Sequence, residues 1–287
     1  MNCFVICLLV FSLQVSLAST TNEYIKINSV EFKDNEISPT LISAIENKQL
    51  ILIGESHGTN EMPDFTYSLV KVLAEKHEIA LGLEFPIEIQ EPIDAFMASG
   101  DEKVLADILF FKDANFHSGR GSEAMIRMLK NVRTIKKLKV FCFDSAEPNF
   151  TSPSPVERDT RMAMNILGFI KANPNKKIIT YSGNIHSRLT PGYANNPNHK
   201  NMGAETLKFS NGNLTLSNSI NILFRYDQGS AWQCWFDTDK KIICGSRSFG
   251  PYETIYASSL PFNRYFLQEP EITDGHFESV FIRSISA

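Results

Sequence analysis

The chain has little that is long and apolar, no surplus of positive charge and few cysteines. Its strongly apolar run, Phe4 to Leu13, falls short of the roughly 20 residues a membrane-spanning helix needs, and Ser12 interrupts it. Lys and Arg number 28 against 32 Asp and Glu, for a net charge of −4. These charges are dispersed, so no nucleic-acid partner is expected. The 5 cysteines show none of the paired spacings of a zinc module. Gly/Ser-rich linkers, repeats and low-complexity tracts are also missing, which leaves no boundary for a second domain. What remains, at 43% hydrophobic and 21% charged residues, is an ordinary globular composition.

The apolar run is followed by Ser16-Leu17-Ala18, small residues at the two positions a signal peptidase reads. Residues 1–18 read as a cleaved signal peptide, with a mature start at Ser19 and a secreted or periplasmic product. Residues 19–287 then form one large domain. Cys3 and Cys7 leave with the leader, and Cys142, inside the apolar run Val140–Phe143, reads as a small core residue. Cys234 and Cys244 flank a hairpin. A three-residue loop at Thr238–Lys240 sets Asp237 opposite Lys241 and Cys234 opposite Cys244; a two-residue turn shifts that register. In an exported protein, facing cysteines are expected to form a disulfide. Asn149-Phe150-Thr151 and Asn213-Leu214-Thr215 are glycosylation sequons that carry meaning only in a eukaryotic source.

Strand and helix signals alternate through the first two thirds. Buried-type strands are expected at Gln49–Ile53, Ile79–Phe85, Lys139–Phe143 and Lys177–Tyr181, with helices at Asn60–Glu75, about Ser122–Lys137 and from Ser154 to about Asn173. In the first helix Phe65, Leu69, Val72 and Leu73 share a face. The last opens with a Ser-x-x-Glu capping box and Pro155. This alternation predicts a mainly parallel α/β sheet flanked by helices. After Pro191, segments 204–209, 213–226, 231–236, 241–245 and 276–284 read as strands, an antiparallel β extension in the C-terminal third.

Polar residues gather where the strands end. Gly54-Glu55-Ser56-His57-Gly58 follows the first strand, Glu84 closes the second, Asp144 ends the third, and Gly183-Asn184-Ile185-His186 follows the fourth. Parallel strands present their carboxyl ends on one edge, where open α/β folds bind ligands. Two histidines and several carboxylates on one rim suit general acid–base catalysis or a divalent metal. The glycine ahead of each histidine is expected to let the chain turn sharply off its strand. Arg120, in the Gly-flanked loop Ser118–Gly121, is a candidate for holding an anionic substrate group or oxyanion, with His117 near it. Arg158 and Asp159 read as bracing their helix start, and His77 and His199 as surface residues.

Three segments, LILIGESHGTNEMPDF, IALGLEFP and YSGNIHS, resemble the superfamily that joins erythromycin esterases, ChaN-type haem-binding proteins and Tiki metalloproteases. GESHGTNE is similar to the esterases' first motif. GESH and GNIH match the pair of Gly-x-x-His segments of the Tiki and ChaN branches, whose histidines lie at the active centre. LEFP carries the Glu that follows the second strand in all branches, and Arg158-Asp159 with Met162-Ala163 resembles the family's Arg-Asp-x-x-Met-Ala segment. The likeness runs from about Gln49 to Arg188, with weaker echoes at Asn201-Met202-Gly203 and Asp274-Gly275-His276-Phe277. No lipoprotein cysteine stands at the cleavage site.

The resemblance and the rim together imply a hydrolase that cleaves an ester, peptide or amide in a small-molecule or peptide substrate. His57 is the general base or a metal ligand, Glu55 orients it, Glu84 holds the water or shares the metal, and His186 is a ligand or general acid. A metal would be Mn, Co or Zn on His57, Glu84 and His186. The alternative is haem or metal binding without turnover, for which Tyr193 is the haem tyrosine.

Overall fold

The computed structural model describes residues 22–33, 36–112, 119–144, 155–252, 260, 262–273 and 275–287. The leader, the start at Ser19, His117, the Asn149 sequon and Asp274 lie outside these residues. Short apolar runs become strands: β1 (Ser29–Glu31), β2 (Leu50–Glu55), β3 (Ile79–Pro86), β4 (Lys139–Asp144), β5 (Lys177–Gly183), β6 (Ser219–Phe236), β7 (Ile242–Phe249), β8 (Arg264–Thr273) and β9 (His276–Ile285). Between them lie α1 (Pro39–Ile45), α2 (Glu61–Ala74), α3 (Gln90–Ser99), α4 (Lys103–Ala106), α5 (Leu109–Lys112), α6 (Glu123–Val132), α7 (Pro155–Ala172) and α8 (Met202–Phe209).

The strands form one nine-stranded sheet in the order β1-β8-β9-β6-β2-β5-β3-β4, with β7 paired to β6. Pairings among β2, β3, β4 and β5, and of β6 with β2 and β9, are parallel; those of β8 with β1 and β9, and of β6 with β7, are antiparallel. This is the mainly parallel sheet with antiparallel strands toward the C-terminus that the pattern predicts. Successive side chains of a strand point to opposite faces, and β2 shows the result. Ile51 and Ile53 join Leu69, Leu73, Met128 and Leu129 of α2 and α6 in one core, while Leu50 and Leu52 join Met162, Ala163 and Ile166 of α7 in another. With both faces covered, the inner strands are apolar throughout rather than alternating.

The C-terminal third departs from the reading in detail. Segment 204–209 is the body of α8, not a strand. Five consecutive residues, Met202–Thr206, are buried there, and a short apolar run does not reveal its own period. The two strands expected at 213–226 and 231–236 are one, β6. Residues 213–218 form a turn tied by Asn218, whose Oδ1 accepts from Thr215 N–H at 2.7 Å. At Gly229 (φ +129) the strand passes from β9 to β7, and a Cβ there would stand 1.9 Å from Ile285 O. The hairpin has the three-residue loop, closed by Asp237 N–H to Lys241 O at 2.9 Å with Lys240 at φ 60. Cys234 therefore faces Cys244, and the two form a disulfide. Strands β1 and β8 were not foreseen.

Candidate active site

Strands β2 and β5 are neighbours in register, with Gly54 beside Ser182 and Glu55 beside Gly183. Both Gly-x-x-His motifs therefore leave the sheet side by side. Their glycines serve closeness rather than turning: neither Gly54 nor Gly183 has a positive φ. A Cβ on Gly54 would meet Ser187 Oγ at 2.1 Å, and one on Gly183 would lie 3.2 Å from His57 Nε2 and 3.5 Å from His186 Cδ2. The expectation of a sharp turn is corrected; what these positions need is room between two strand ends. The turning glycine is Gly58, at φ +82.

Each histidine leans on a carboxylate. His57 Nδ1 is hydrogen-bonded to Glu55 Oε1, and its Nε2 faces Glu84 Oε2 at 3.6 Å. His186 Nδ1 lies 2.6 Å from Asp159 Oδ1, and the other oxygen of Asp159 takes His199 Nε2 at 3.0 Å. Between the dyads, Glu84 Oε2 accepts the Gly183 N–H at 2.8 Å. Arg158 binds Asp144 through Nε at 2.9 Å and Nη2 at 2.8 Å, the bidentate geometry that makes such pairs strong. It also reaches Glu84 Oε1 at 2.6 Å and His186 Nε2 at 3.1 Å. Arg120 Nη1 reaches Asp144 Oδ2 at 2.7 Å and Glu84 Oε1 at 3.3 Å.

This wiring sets the charges. For His57, burial favours the neutral ring, but Glu55 and then Glu84 outweigh it and raise the pKa above the ordinary 6.5. For Glu84, burial favours the acid, yet His186, His57, Arg158 and Arg120 hold it well below the ordinary carboxylate range. Burial and the adjacent Glu55 push the Tyr181 phenol up. Glu55, His57, Glu84, Arg120 and Tyr181 surround a cavity of about 10 Å³, room for one water molecule. Glu55 Oε2 has no hydrogen-bond partner.

The rim thus gathers Glu55, His57, Glu84, Arg120, Asp144 and His186 as expected, and adds two residues set aside in the sequence. Arg158 bridges Glu84, Asp144 and His186 rather than bracing a helix start. His199 is 5% exposed, not on the surface, and supports Asp159 from behind. A residue pair just inside a helix gives no sign of the face it presents; the motif likeness at Arg158-Asp159 was the available signal. His77 lies at the other edge of the sheet, beside Lys177. Tyr193 packs edge-on against His199 at 5.4 Å and borders neither cavity near the rim.

A metal on His57, Glu84 and His186 does not fit this donor set. Arg158 occupies His186 Nε2, two guanidiniums occupy Glu84 Oε1, and a backbone N–H occupies Oε2. Among the described residues, the His/Asp/Glu/Cys grouping close enough for an ion is Asp159, His186 and His199. Its 2.6 Å and 3.0 Å separations are hydrogen-bond lengths. Ligands about 2.0–2.2 Å from a tetrahedral zinc stand roughly 3.3 Å apart.

No protein-family model matches the chain, and comparison with curated proteins finds no match. Solved structures do match. One is a Bacillus cereus protein, 12% identical, with 94% of this chain and 98% of that chain covered at a TM-score of 0.65. Another is a succinoglycan biosynthesis protein, 10% identical over 94% and 98%, at 0.67. A third is a mutant of the erythromycin esterase EreC in its open conformation, 12% identical over 88% and 96%, at 0.66. The chain therefore has the erythromycin-esterase fold, as its motifs implied.

Proposed function

We propose that the protein is a hydrolase in which His57 activates water to cleave an ester or amide, with no metal on His57, Glu84 and His186. The observation that carries this reading is the orientation of His57. Its Nδ1 is taken by Glu55, its Nε2 stands 3.6 Å from Glu84 Oε2 with no hydrogen bond between them, and the residue borders a cavity the size of one water. Carboxylate, imidazole and water in that order make a general base. Water oxygen bonds to the carbonyl carbon, His57 Nε2 takes the proton, and the carbonyl electron pair moves to oxygen. The exposed edges of Arg120 and Arg158 stabilise that oxyanion. Collapse expels the alcohol or amine, which takes the proton back from His57, leaving acid and alcohol or amine. The fold shared with an erythromycin esterase makes esters the first substrates to try. The protein is also read as exported, with residues 1–18 removed; the Cys234–Cys244 disulfide suits that compartment.

The test is a panel of esters and amides in chelator-containing buffer, comparing the unmodified protein with Glu55→Gln. Turnover that falls in Glu55→Gln supports the dyad. Turnover equal in both proteins would remove Glu55 from the mechanism.

A further inference from the structure

Gly58 and Gly121, next in the chain after His57 and Arg120, border a cavity of about 460 Å³ whose wall includes Thr59, Phe111, Ser122 and Trp232. That size lies within the roughly 300–1,000 Å³ of small-molecule sites.

The hairpin builds one wall. The Trp232 N–H donates to Gly58 O at 2.8 Å. A Cβ on Gly58 or Gly119 would collide with Trp232 O, at 1.9 Å and 2.5 Å. Strand β6 is therefore clamped onto the loops that carry His57 and Arg120, and Trp232, 38% exposed, forms part of the cavity wall. Phe111 supplies a second aromatic surface.

Two residues of the wall carry a buried hydroxyl with an unmet hydrogen bond. Thr59 is 1% exposed and its Oγ1 has no partner; the buried Oγ of Ser122 has none either. Buried hydroxyls in native proteins are normally paired, and a ligand in the cavity could complete the pairing of both. Both lie at helix starts. Thr59 precedes Asn60, the cap residue of α2, and Ser122 is the cap residue of α6, and neither helix has a side-chain cap bond. Each helix start carries partial positive charge, met in the first turn by Glu61 and Asp64 in α2 and by Glu123 in α6. Lys112, which pairs with Asp107 at 3.0 Å, shares the wall with Glu123 and Ala287.

We propose that this cavity binds an apolar group bearing a carboxylate. The apolar part lies against Trp232 and Phe111, and the carboxylate oxygens accept hydrogen bonds from Thr59 and Ser122 after rotation of their hydroxyls about χ1. Calling that ligand part of the substrate rests on the hydrolase reading; the binding itself does not.

The probe is 4-phenylbutyrate, titrated against Trp235→Phe protein, in which Trp232 is the sole remaining tryptophan of 2. The expected result is a saturable change in Trp232 fluorescence. Thr59→Val and Ser122→Ala should each weaken binding by about tenfold, the loss of one hydrogen bond to a charged acceptor. Thr59→Val should keep its unfolding midpoint, because valine preserves the shape and removes an unpaired oxygen. Unchanged fluorescence at saturating probe overturns the proposal. So does unchanged affinity in both variants, with or without a drop in unfolding midpoint. His57→Ala should bind the probe as the unmodified protein does. Affinity losses as stated in a protein without turnover sink the hydrolase reading alone, whereas turnover with unaltered affinities sinks this proposal alone.

Discussion

Arg158 Nη1 lies 3.1 Å from Nε2 of His186. A guanidinium carries only N–H donors, so the Arg158 contact uses His186 Nε2, while Nδ1 lies 2.6 Å from Asp159 Oδ1. His186 is thereby committed on both nitrogens, whereas the His57 ring, among the described residues, is hydrogen-bonded only through Nδ1 and the residue borders the one-water cavity. The two histidine motifs are alike in sequence and unlike in wiring: in the proposed mechanism one supplies the base, while the other contacts Arg158 and lies 3.8 Å from Glu84.

That difference bears first on metals. With His186 Nε2 and both Glu84 oxygens occupied, chelation should leave turnover unchanged, and metal analysis should find far less than one equivalent of Mn, Co or Zn. Turnover lost on chelation and restored by Mn²⁺, Co²⁺ or Zn²⁺ would show that an ion displaces Arg158.

The pH dependence follows from the raised pKa of His57. A base must be unprotonated, so the rate falls as pH drops through the folded pKa, and the acid limb should have its inflection above 6.5. In Glu55→Gln, which removes the largest raising influence, that inflection should move down. The linkage runs the other way for stability. A group with a raised pKa stabilises the fold fully below its unfolded value of 6.5 and loses that contribution as pH rises through the folded value. Thermal unfolding across this range, compared with His57→Gln, measures it. An acid limb below 6.5 would contradict the assignment.

The paired glycines should separate stability from activity. Gly54→Ala puts a Cβ 2.1 Å from the buried Ser187 Oγ, an overpacking that costs about 1–3 kcal/mol. Gly183→Ala, whose nearest contact is His57 Nε2 at 3.2 Å, should unfold near the unmodified protein and lose turnover by moving the base. Unfolding curves beside initial rates decide; equal rates in Gly183→Ala would mean His57 tolerates displacement.

How much of this was legible in the sequence depends on the residue. Glu55, His57, Glu84, Asp144 and His186 lie at the ends of apolar runs whose parallel pairing follows from the strand–helix alternation, so a common rim was foreseeable. Arg158 and His199 were not, because one reaches the rim and the other backs Asp159 from a helix or loop whose orientation tertiary packing sets. The strand reading of 204–209 failed because five buried residues in a row suit a helix wedged against α7 as well as a strand. The gap read at Asp227–Ser230 is a change of partner inside β6, made where Gly229 lets Ile285 approach, and composition alone does not distinguish the two.

The hairpin offers a check outside the site. Joining Cys234 and Cys244, 10 residues apart, should contribute about 2–3 kcal/mol by restricting the unfolded chain. Denaturant unfolding with and without reductant measures this, and peptide mapping under non-reducing conditions should recover the linked pair. Two free thiols would reject the linkage.

The most direct measurement is kcat/KM of folded His57→Ala on the ester or amide found by the panel. As the base, His57 should be worth at least the roughly 10²–10⁴-fold of general acid–base catalysis, with unfolding little altered. His57→Ala combined with Glu55→Gln should lose scarcely more than His57→Ala alone, because Glu55 acts through the ring it orients. A folded His57→Ala protein with undiminished kcat/KM would contradict the account at its centre.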